Sequence, residues 1–299
     1  LLIAGREHHG PLRDNVAMQS YLGVDTEILD HESIHELYPA ISLKGDEICA
    51  FEPESGYADA NAITNGYATL AKSKGSQIVT GTEVTGIEIK KGEVISIQSS
   101  SGSISTSIVV LATGPWSPFF FEKLGIKIPL KTIRHQVAMF GKTQNGAKNQ
   151  PCIGDLPNRL SARPEGENMI MMGVGEDESP GPEDYDEGTD LKLISSSWVR
   201  FSKRFPQLQN AKYQGGWSGL FTTTPDWHPI LDNVAGIGGL YCAVGFSGHG
   251  FKLSPMVGTA MAEIIVHGRS STVDVSSLGI DRFASGLQLK SRYPMGVMA

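Results

Sequence analysis

The stretch that most restricts the fold is the passage from an apolar run, residues 240–244, into Gly245-Phe246-Ser247-Gly248-His249-Gly250-Phe251-Lys252 and then an amphipathic segment over 253–267. Five residues rich in Leu, Val and Ala read as a buried strand, and the segment after the glycines carries apolar residues at helical spacing. The expected buried stripe is Met256, Val257, Ala260, Met261, Ile264 and Ile265, with Pro255 in the first turn and Gly268 just past the end, where helices tolerate them. Three glycines between strand and helix allow a close backbone approach. They also leave amides beside a helix N-terminus, which favours negative charge there. The order of the glycines is not GxGxxG, so a dinucleotide pyrophosphate is not the guest it implies. A plain tight strand–helix turn is the other reading of the same residues.

A second constraint comes from Ile108-Val109-Val110-Leu111-Ala112-Thr113-Gly114. An unbroken apolar run of this length suits a strand buried on both faces of a parallel sheet. It ends in small residues at its carboxyl end, where open α/β sheets bind ligands. Before it, the pattern predicts a helix over 61–74 with Ile63, Tyr67, Leu70 and Ala71 on one stripe and Gly75 past its end. A short strand over 77–80 follows, then a hairpin turning at Lys90-Lys91-Gly92-Glu93, and a third strand from Gly102. The first fifty residues read as a strand over 1–4, a helix over 11–22 carrying Leu12, Val16 and Leu22, a strand over 26–29, and a helix over 31–37. Asp30 caps that last helix and Pro39 stops it. Residues 117–215 mix strands and loops, and the acidic 176–190 segment, rich in Gly, Pro and Asp, reads as a solvated loop. Fold class is therefore α/β, or α+β where the sheets are antiparallel.

Composition narrows function by exclusion. Across 299 residues, 25 basic side chains against 32 acidic give a net charge of −7, which disfavours nucleic acid as a partner. Cys49, Cys152 and Cys242 are scattered without CxxC spacing, which argues against a disulfide framework and against a zinc cluster. No apolar run reaches the length of a membrane span and no signal-peptide profile opens the chain, so a cytoplasmic location is expected. His31-Glu32-Ser33-Ile34-His35 spells HExxH, a zinc-hydrolase pattern, but Pro39 leaves little helix to hold the ligands and no third ligand is identifiable, so an exposed helix with two histidines is expected and no metal.

The combination of Ala112-Thr113-Gly114-Pro115-Trp116-Ser117, Thr222-Thr223-Thr224-Pro225-Asp226 and the 245–252 stretch resembles the D-amino-acid oxidase-type FAD enzymes, closest to sarcosine oxidases and dehydrogenases and their β-type subunits. The resemblance runs from the opening strand to Arg282-Phe283. Family members carry a GxGxxG unit ahead of the equivalent of Leu1, so a truncated start lacking roughly 70 to 90 residues is expected. The resemblance implies a Rossmann-like FAD-binding domain (51–116 and 216–299) interleaved with a substrate domain on an antiparallel sheet (1–50 and 117–215). It places Val84 near the adenosine end, and Ala112, Thr113, Gly114 and Trp116 beside the cofactor. Gly245, Phe246, Ser247, Gly248, His249, Gly250 and Phe251 would lie along the pyrimidine side of the flavin.

Lys252 matches the lysine that binds the substrate carboxylate in sarcosine-oxidase-like enzymes. Phe221 stands about where glycine-oxidase-like members have an arginine. Gly219 replaces the cysteine that attaches FAD in monomeric sarcosine oxidases, so non-covalent FAD is implied. Met171 replaces an oxygen-activating lysine, which favours a dehydrogenase. The implied activity is oxidation of a secondary or α-amino acid by hydride transfer, giving an imine that hydrolyses, in a chain that could belong to a hetero-oligomer. A flavin-fold subunit without its own turnover is the alternative.

Overall fold

A computed structural model of the chain describes residues 1–141, 150–178 and 181–290. Eight strands build the larger sheet. In spatial order they are β12 (Lys212–Thr223), β8 (Lys131–Gly141), β11 (Met169–Glu178), β10 (Leu160–Glu165), β9 (Ile153–Asp155), β1 (Leu2–Ala4), β3 (Ile48–Phe51) and β2 (Glu27–Leu29). All neighbours are antiparallel except β1 and β9.

Alternation along these strands separates two faces. One face sends Ala138, Phe140, Leu160, Ala162, Ile170, Met172 and Val174 into a core shared with Ile194 and Phe201 of the helix α5 (Leu191–Arg204). There Phe140 stacks on Trp198 at 4.0 Å between ring centroids. At the end of α5, Arg204 is buried between two carboxylates: Nη1 lies 2.6 Å from Glu47 Oε2, and Nε lies 2.8 Å from Asp155 Oδ2. The opposite face carries Phe221, His135, Gly173, Ser161 and Arg163, which share it by register. Its far end is covered by α1 (His9–Tyr21), whose Leu12 packs with Ala4 and Leu156. Leu12 and Val16 are buried as expected, whereas Leu22 falls beyond the last turn and is 68% exposed. The helix α2 (His31–Leu37) has its expected cap, with Ser33 N donating to Asp30 Oδ1 at 2.9 Å.

Two three-stranded sheets complete the architecture. The meander β4 (Val84–Lys90), β5 (Glu93–Ser99) and β6 (Gly102–Ser105) forms as the pattern predicts. The third sheet has the order β13 (Ile230–Asn233), β14 (Leu240–Val244), β7 (Val109–Leu111), with β7 parallel to β14. Phe120 and Phe121 of α4 (Ser117–Lys123) join Leu111, Ile230, Leu240 and Val244 in the core under it. Met261 of α6 (Gly250–His267) packs against Leu231 and Ala243 on its other side.

Four expectations change. The run at 108–114 contributes only three strand residues, and Val110 is 41% exposed because β7 is the edge of its sheet. Residues 77–80 join none of the three sheets, so their apolar run has no ladder to complete. The helix α3 (Ala60–Ser73) forms, yet Ile63, Tyr67 and Leu70 stay exposed, because its stripe reaches none of the apolar cores among the described residues. The 176–190 segment is tied down rather than merely solvated in the part beyond residue 180: buried Arg134 donates from Nε to the Asp186 carbonyl at 2.6 Å and from Nη2 to the Gly188 carbonyl at 2.9 Å. Gln136 adds a bond from Nε2 to Asp190 Oδ2 at 3.0 Å.

Candidate functional site

The glycine-rich turn is held against the end of β12 by its own backbone. Gly245, Ser247 and Gly248 have φ of 71°, 51° and 83°. Left-handed backbone at a serine is unfavourable, and here three bonds impose it. Ser247 N donates to the Thr222 carbonyl at 2.9 Å, Thr224 N donates to Ser247 Oγ at 3.2 Å, and Ser247 Oγ donates to the Gly245 carbonyl at 3.2 Å. A Cβ on Gly245 would stand 2.6 Å from Thr224 Cγ2 and 2.8 Å from Leu130 Cδ2, and one on Gly248 would stand 3.0 Å from the Phe221 ring. Only glycine lets the chain run this close to β12.

A second hub pins the same strand end. Asp226 is buried and paired with Arg282, whose Nε lies 2.8 Å from Oδ2 and whose Nη2 lies 3.0 Å from Oδ1. Thr224 Oγ1 and the His228 and Leu289 amides donate to the same carboxylate. Although burial alone would raise its pKa, the Arg282 guanidinium and these amides win and hold it at about 2.

The helix following the turn starts earlier than the pattern predicts. Because α6 begins at Gly250, the residues Gly250, Phe251 and Lys252 belong to its first turn, and the buried stripe is reduced to Ala260 and Met261, with Met256 44% exposed. No side chain caps this N-terminus, so its leading amides keep their donors for another acceptor. Pro255 cannot donate to the Phe251 carbonyl; Ser254 Oγ does so instead at 2.9 Å. These uncapped amides, beside a turn with no space for a side chain at Gly245 or Gly248, fit the electron-rich edge of a flavin.

Lys252 lies over the far end of the same sheet face, on the wall of a cavity of about 390 Å³ between α1 and strands β1, β3 and β9. Leu2, Leu12, Gln19, Glu52 and Cys152 also line it. Desolvation pushes the Lys252 pKa down, although the side chain is more than a third exposed. Thus the turn spans the face, with Gly248 against Phe221 on β12 and Lys252 beside β1 and β9.

The other sequence-identified positions divide in two. Thr113 Oγ1 and Ser117 Oγ lie 3.0 Å apart, and Gly114 has φ 49°, so Ala112, Thr113 and Gly114 form the turn at the carboxyl end of β7. Trp116 is 46% exposed and donates from Nε1 to Glu183 at 2.5 Å. Gly219 lies on β12 opposite His135, with open space where a Cβ would go. Val84 opens β4 and packs on the core under β7, away from this floor. His31 is taken up by its own fold: Nε2 lies 3.0 Å from the Glu47 carbonyl, and His35 is exposed. Among the described residues, no three His, Cys, Asp or Glu side chains form a group able to hold a metal ion, and no helix is long and apolar enough to cross a membrane.

Sequence reasoning missed His135, Ser161 and Gly173, which the sheet brings together on the floor beneath the turn. His135 stacks on Phe221 at 4.9 Å and 17° between planes. A Cβ on Gly173 would stand 2.7 Å from Ser161 Oγ and 3.3 Å from His135 Nε2. Ser161 and Gly173 come from the two arms of one hairpin and His135 from β8, more than twenty residues earlier, and no local spacing marks the three together.

Comparison with known proteins bears on the family and the fold. The chain is 25% identical over 277 residues to a monomeric sarcosine oxidase from Arthrobacter sp. (strain TE1826), a match covering 87% of this chain and 68% of that protein. It is 28% identical over 302 residues to the human peroxisomal sarcosine oxidase, covering 95% and 75%. Among solved structures, the L-proline dehydrogenase from P. horikoshii superposes with a TM-score of 0.87 at 27% identity, covering 95% of this chain and 76% of that one. Glycine oxidase from Geobacillus kaustophilus, at 19% identity and TM-score 0.79 over 94% of this chain and 74% of its own, shares the fold. Residues 1–264 match the family described as FAD dependent oxidoreductase, and the chain belongs to that family.

Proposed function

We propose that this chain oxidises a secondary or α-amino acid of the sarcosine kind at the sheet face beneath the glycine turn. The observation that carries the reading is the uncapped N-terminus of α6, set after a turn with no space for a side chain at Gly245 or Gly248, with Lys252 in the first turn of the helix. When bound, FAD supplies the two-electron acceptor for the substrate's α C–H. The amides of Gly250 and Phe251 would hold its electron-rich edge, in a turn that Gly245 and Gly248 let lie close against Thr224, Leu130 and Phe221. Gly219, with no sulfur to offer, leaves the cofactor non-covalent at this position. The proposed FAD-binding domain comprises 51–116 and 216–299, and the substrate domain 1–50 and 117–215.

Lys252 would bind the carboxylate. A charge-assisted bond of this kind is worth about 1.5–3 kcal/mol. The ammonium must be protonated to serve, and its lowered pKa means binding weakens as pH rises toward and beyond that value. Orientation over the sheet face then sets the C–H toward the acceptor, and the imine product hydrolyses in water. Met171 supports a dehydrogenase. Its Sδ lies 3.5 Å from Nη2 of Arg163, but that guanidinium is paired with Glu165 and lies over the Tyr57 ring at 4.2 Å. Electrons would pass to a carrier, in a hetero-oligomer with other subunits.

The test is the visible absorption spectrum before and after anaerobic sarcosine or L-proline. Flavin bands that bleach support the reading, and slow return in air with fast return on an artificial acceptor supports the dehydrogenase. Bands that persist with every amino acid overturn it.

A further inference from the structure

Two opposite charges share the wall of the cavity between α1 and strands β1, β3 and β9 without neutralising each other. Lys252 reaches it from α6, and Glu52 from the first position past β3. Among the described residues, neither head group has an ion pair or a side-chain hydrogen bond. Desolvation lowers the Lys252 pKa with no carboxylate acting to raise it. The Leu1 ammonium feels the Glu52 charge, yet its hydrogen bond goes to the Cys152 carbonyl at 2.8 Å. Leu12 and Val16 of α1 and Ile153 of β9 give the same cavity an apolar wall suited to a methylene stem, and Gln19 adds an amide. At about 390 Å³ the space is of the size that takes drug-sized ligands, far more than N-methylglycine fills. Strand order sets the direction in which a bound molecule runs. The glycine turn meets the sheet at β12, Lys252 lies beside β9 and β1, and β3 comes next, so Glu52 stands on the far side of Lys252 from the turn.

We propose that Glu52 determines specificity for the substrate's side chain: it receives a positively charged group at the far end of the cavity, so the preferred substrates are α-amino acids, or their N-alkyl forms, that carry a second cation. The inference rests on the amino-acid oxidoreductase reading above, in which Lys252 takes the carboxylate. With the α C–H turned toward the glycine turn, the side chain runs the other way, toward β3. An ammonium or guanidinium on a stem of a few methylenes then meets Glu52. A wholly apolar side chain leaves that carboxylate desolvated and unpaired, which costs affinity and so discriminates against it.

Two carboxylates of one length isolate the distal charge. Hexanoate ends in a methyl group where 5-aminopentanoate ends in an ammonium, and neither has an α-amine. Isothermal titration calorimetry on the anaerobic, FAD-loaded full chain gives both dissociation constants without turnover. The parent should bind 5-aminopentanoate about tenfold more tightly than hexanoate, the size of one charge-assisted hydrogen bond. Glu52→Gln should abolish that preference and leave hexanoate within about twofold. Glu52→Asp, which keeps the charge on a shorter arm, should restore part of it. Lys252→Met should weaken both ligands alike. In steady state L-ornithine should show a higher kcat/KM than its uncharged isostere L-norleucine, mainly through KM, and Glu52→Gln should remove the difference. No preference in the parent, or a Glu52→Gln loss shared equally by both ligands, would overturn the role of Glu52 and leave the carboxylate reading standing. Ligands that bind the parent and Lys252→Met equally well would instead overturn the placement of the carboxylate, and this inference with it.

Discussion

Replacing Asp226 with asparagine removes one charge and keeps the shape, so it isolates what the Asp226–Arg282 pair contributes. In the folded chain the carboxyl sits at about 2 against an ordinary 3.8, a depression that corresponds to roughly 2.5 kcal/mol. Because the folded value is the lower one, this stability is fully present above pH 3.8. It is lost as pH falls through about 2. The amide leaves Arg282 buried without its counter-charge, and breaking a buried pair by removing one partner costs about 3–5 kcal/mol. The substituted side chain would keep the Thr224, His228 and Leu289 contacts only in part, since an amide has one acceptor oxygen where the carboxylate has two. The expected loss at pH 7 is therefore about 3 kcal/mol. Urea unfolding of the parent and of Asp226→Asn, followed from pH 7 to pH 2.5, measures it. The two curves should converge as pH falls below 3.8, the parent descending toward the variant. A constant gap down to pH 2.5, or no gap at pH 7, would refute the assignment of this stability to the ion pair.

Other perturbations test neighbouring parts of the argument. Gly245→Ala forces a Cβ within 2.6 Å of Thr224 and into left-handed backbone; it should cost about 1–3 kcal/mol and lower FAD retention, read as flavin absorbance after gel filtration. Lys252→Met keeps the side-chain length and removes the charge. KM should rise roughly ten- to hundredfold while flavin content stays the same, as steady-state kinetics and absorbance will show. Arg204→Met strands Glu47 and Asp155 in the core, and thermal unfolding should show a loss of about 3–5 kcal/mol with no effect specific to substrate.

What the sequence made legible follows the range of the interactions involved. The cap of α2, the meander and the turn between β14 and α6 depend on neighbours a few residues away, and their residues announce them. The start of α6 moved to Gly250 because the glycine turn closes within five residues, between β14 and Gly250, which local pattern does not specify. The 176–190 segment misled because its composition says solvent, whereas its carbonyls are collected by Arg134, some fifty residues earlier in sequence. The helix α3 was right in kind and wrong in burial, since periodicity reports what a stripe could cover and not what lies beside it. At the site, the motif residues of the turn stood out for their glycines. His135, Ser161 and Gly173 did not, because pairing among β8, β10 and β11 is what makes them neighbours.

The parallel pairing of β7 with β14 also sets a timetable for synthesis. Leu111 leaves the ribosome about 130 residues before Cys242, the residue it must pair with. At about 5–20 residues per second, β7 waits roughly 6 to 26 s with its hydrogen-bonding edge open. Once Leu208 has emerged, about 34 residues before Cys242, the α5-side core, drawn from residues 3–208, can close on its own, while the core beneath β7 waits for Ile230, Leu240 and Val244. A nascent chain of this protein is thus half folded for roughly 2 to 7 s at about 5–20 residues per second, with an apolar strand displayed, and its yield in a cell depends on how well chaperones shield that strand until β14 arrives.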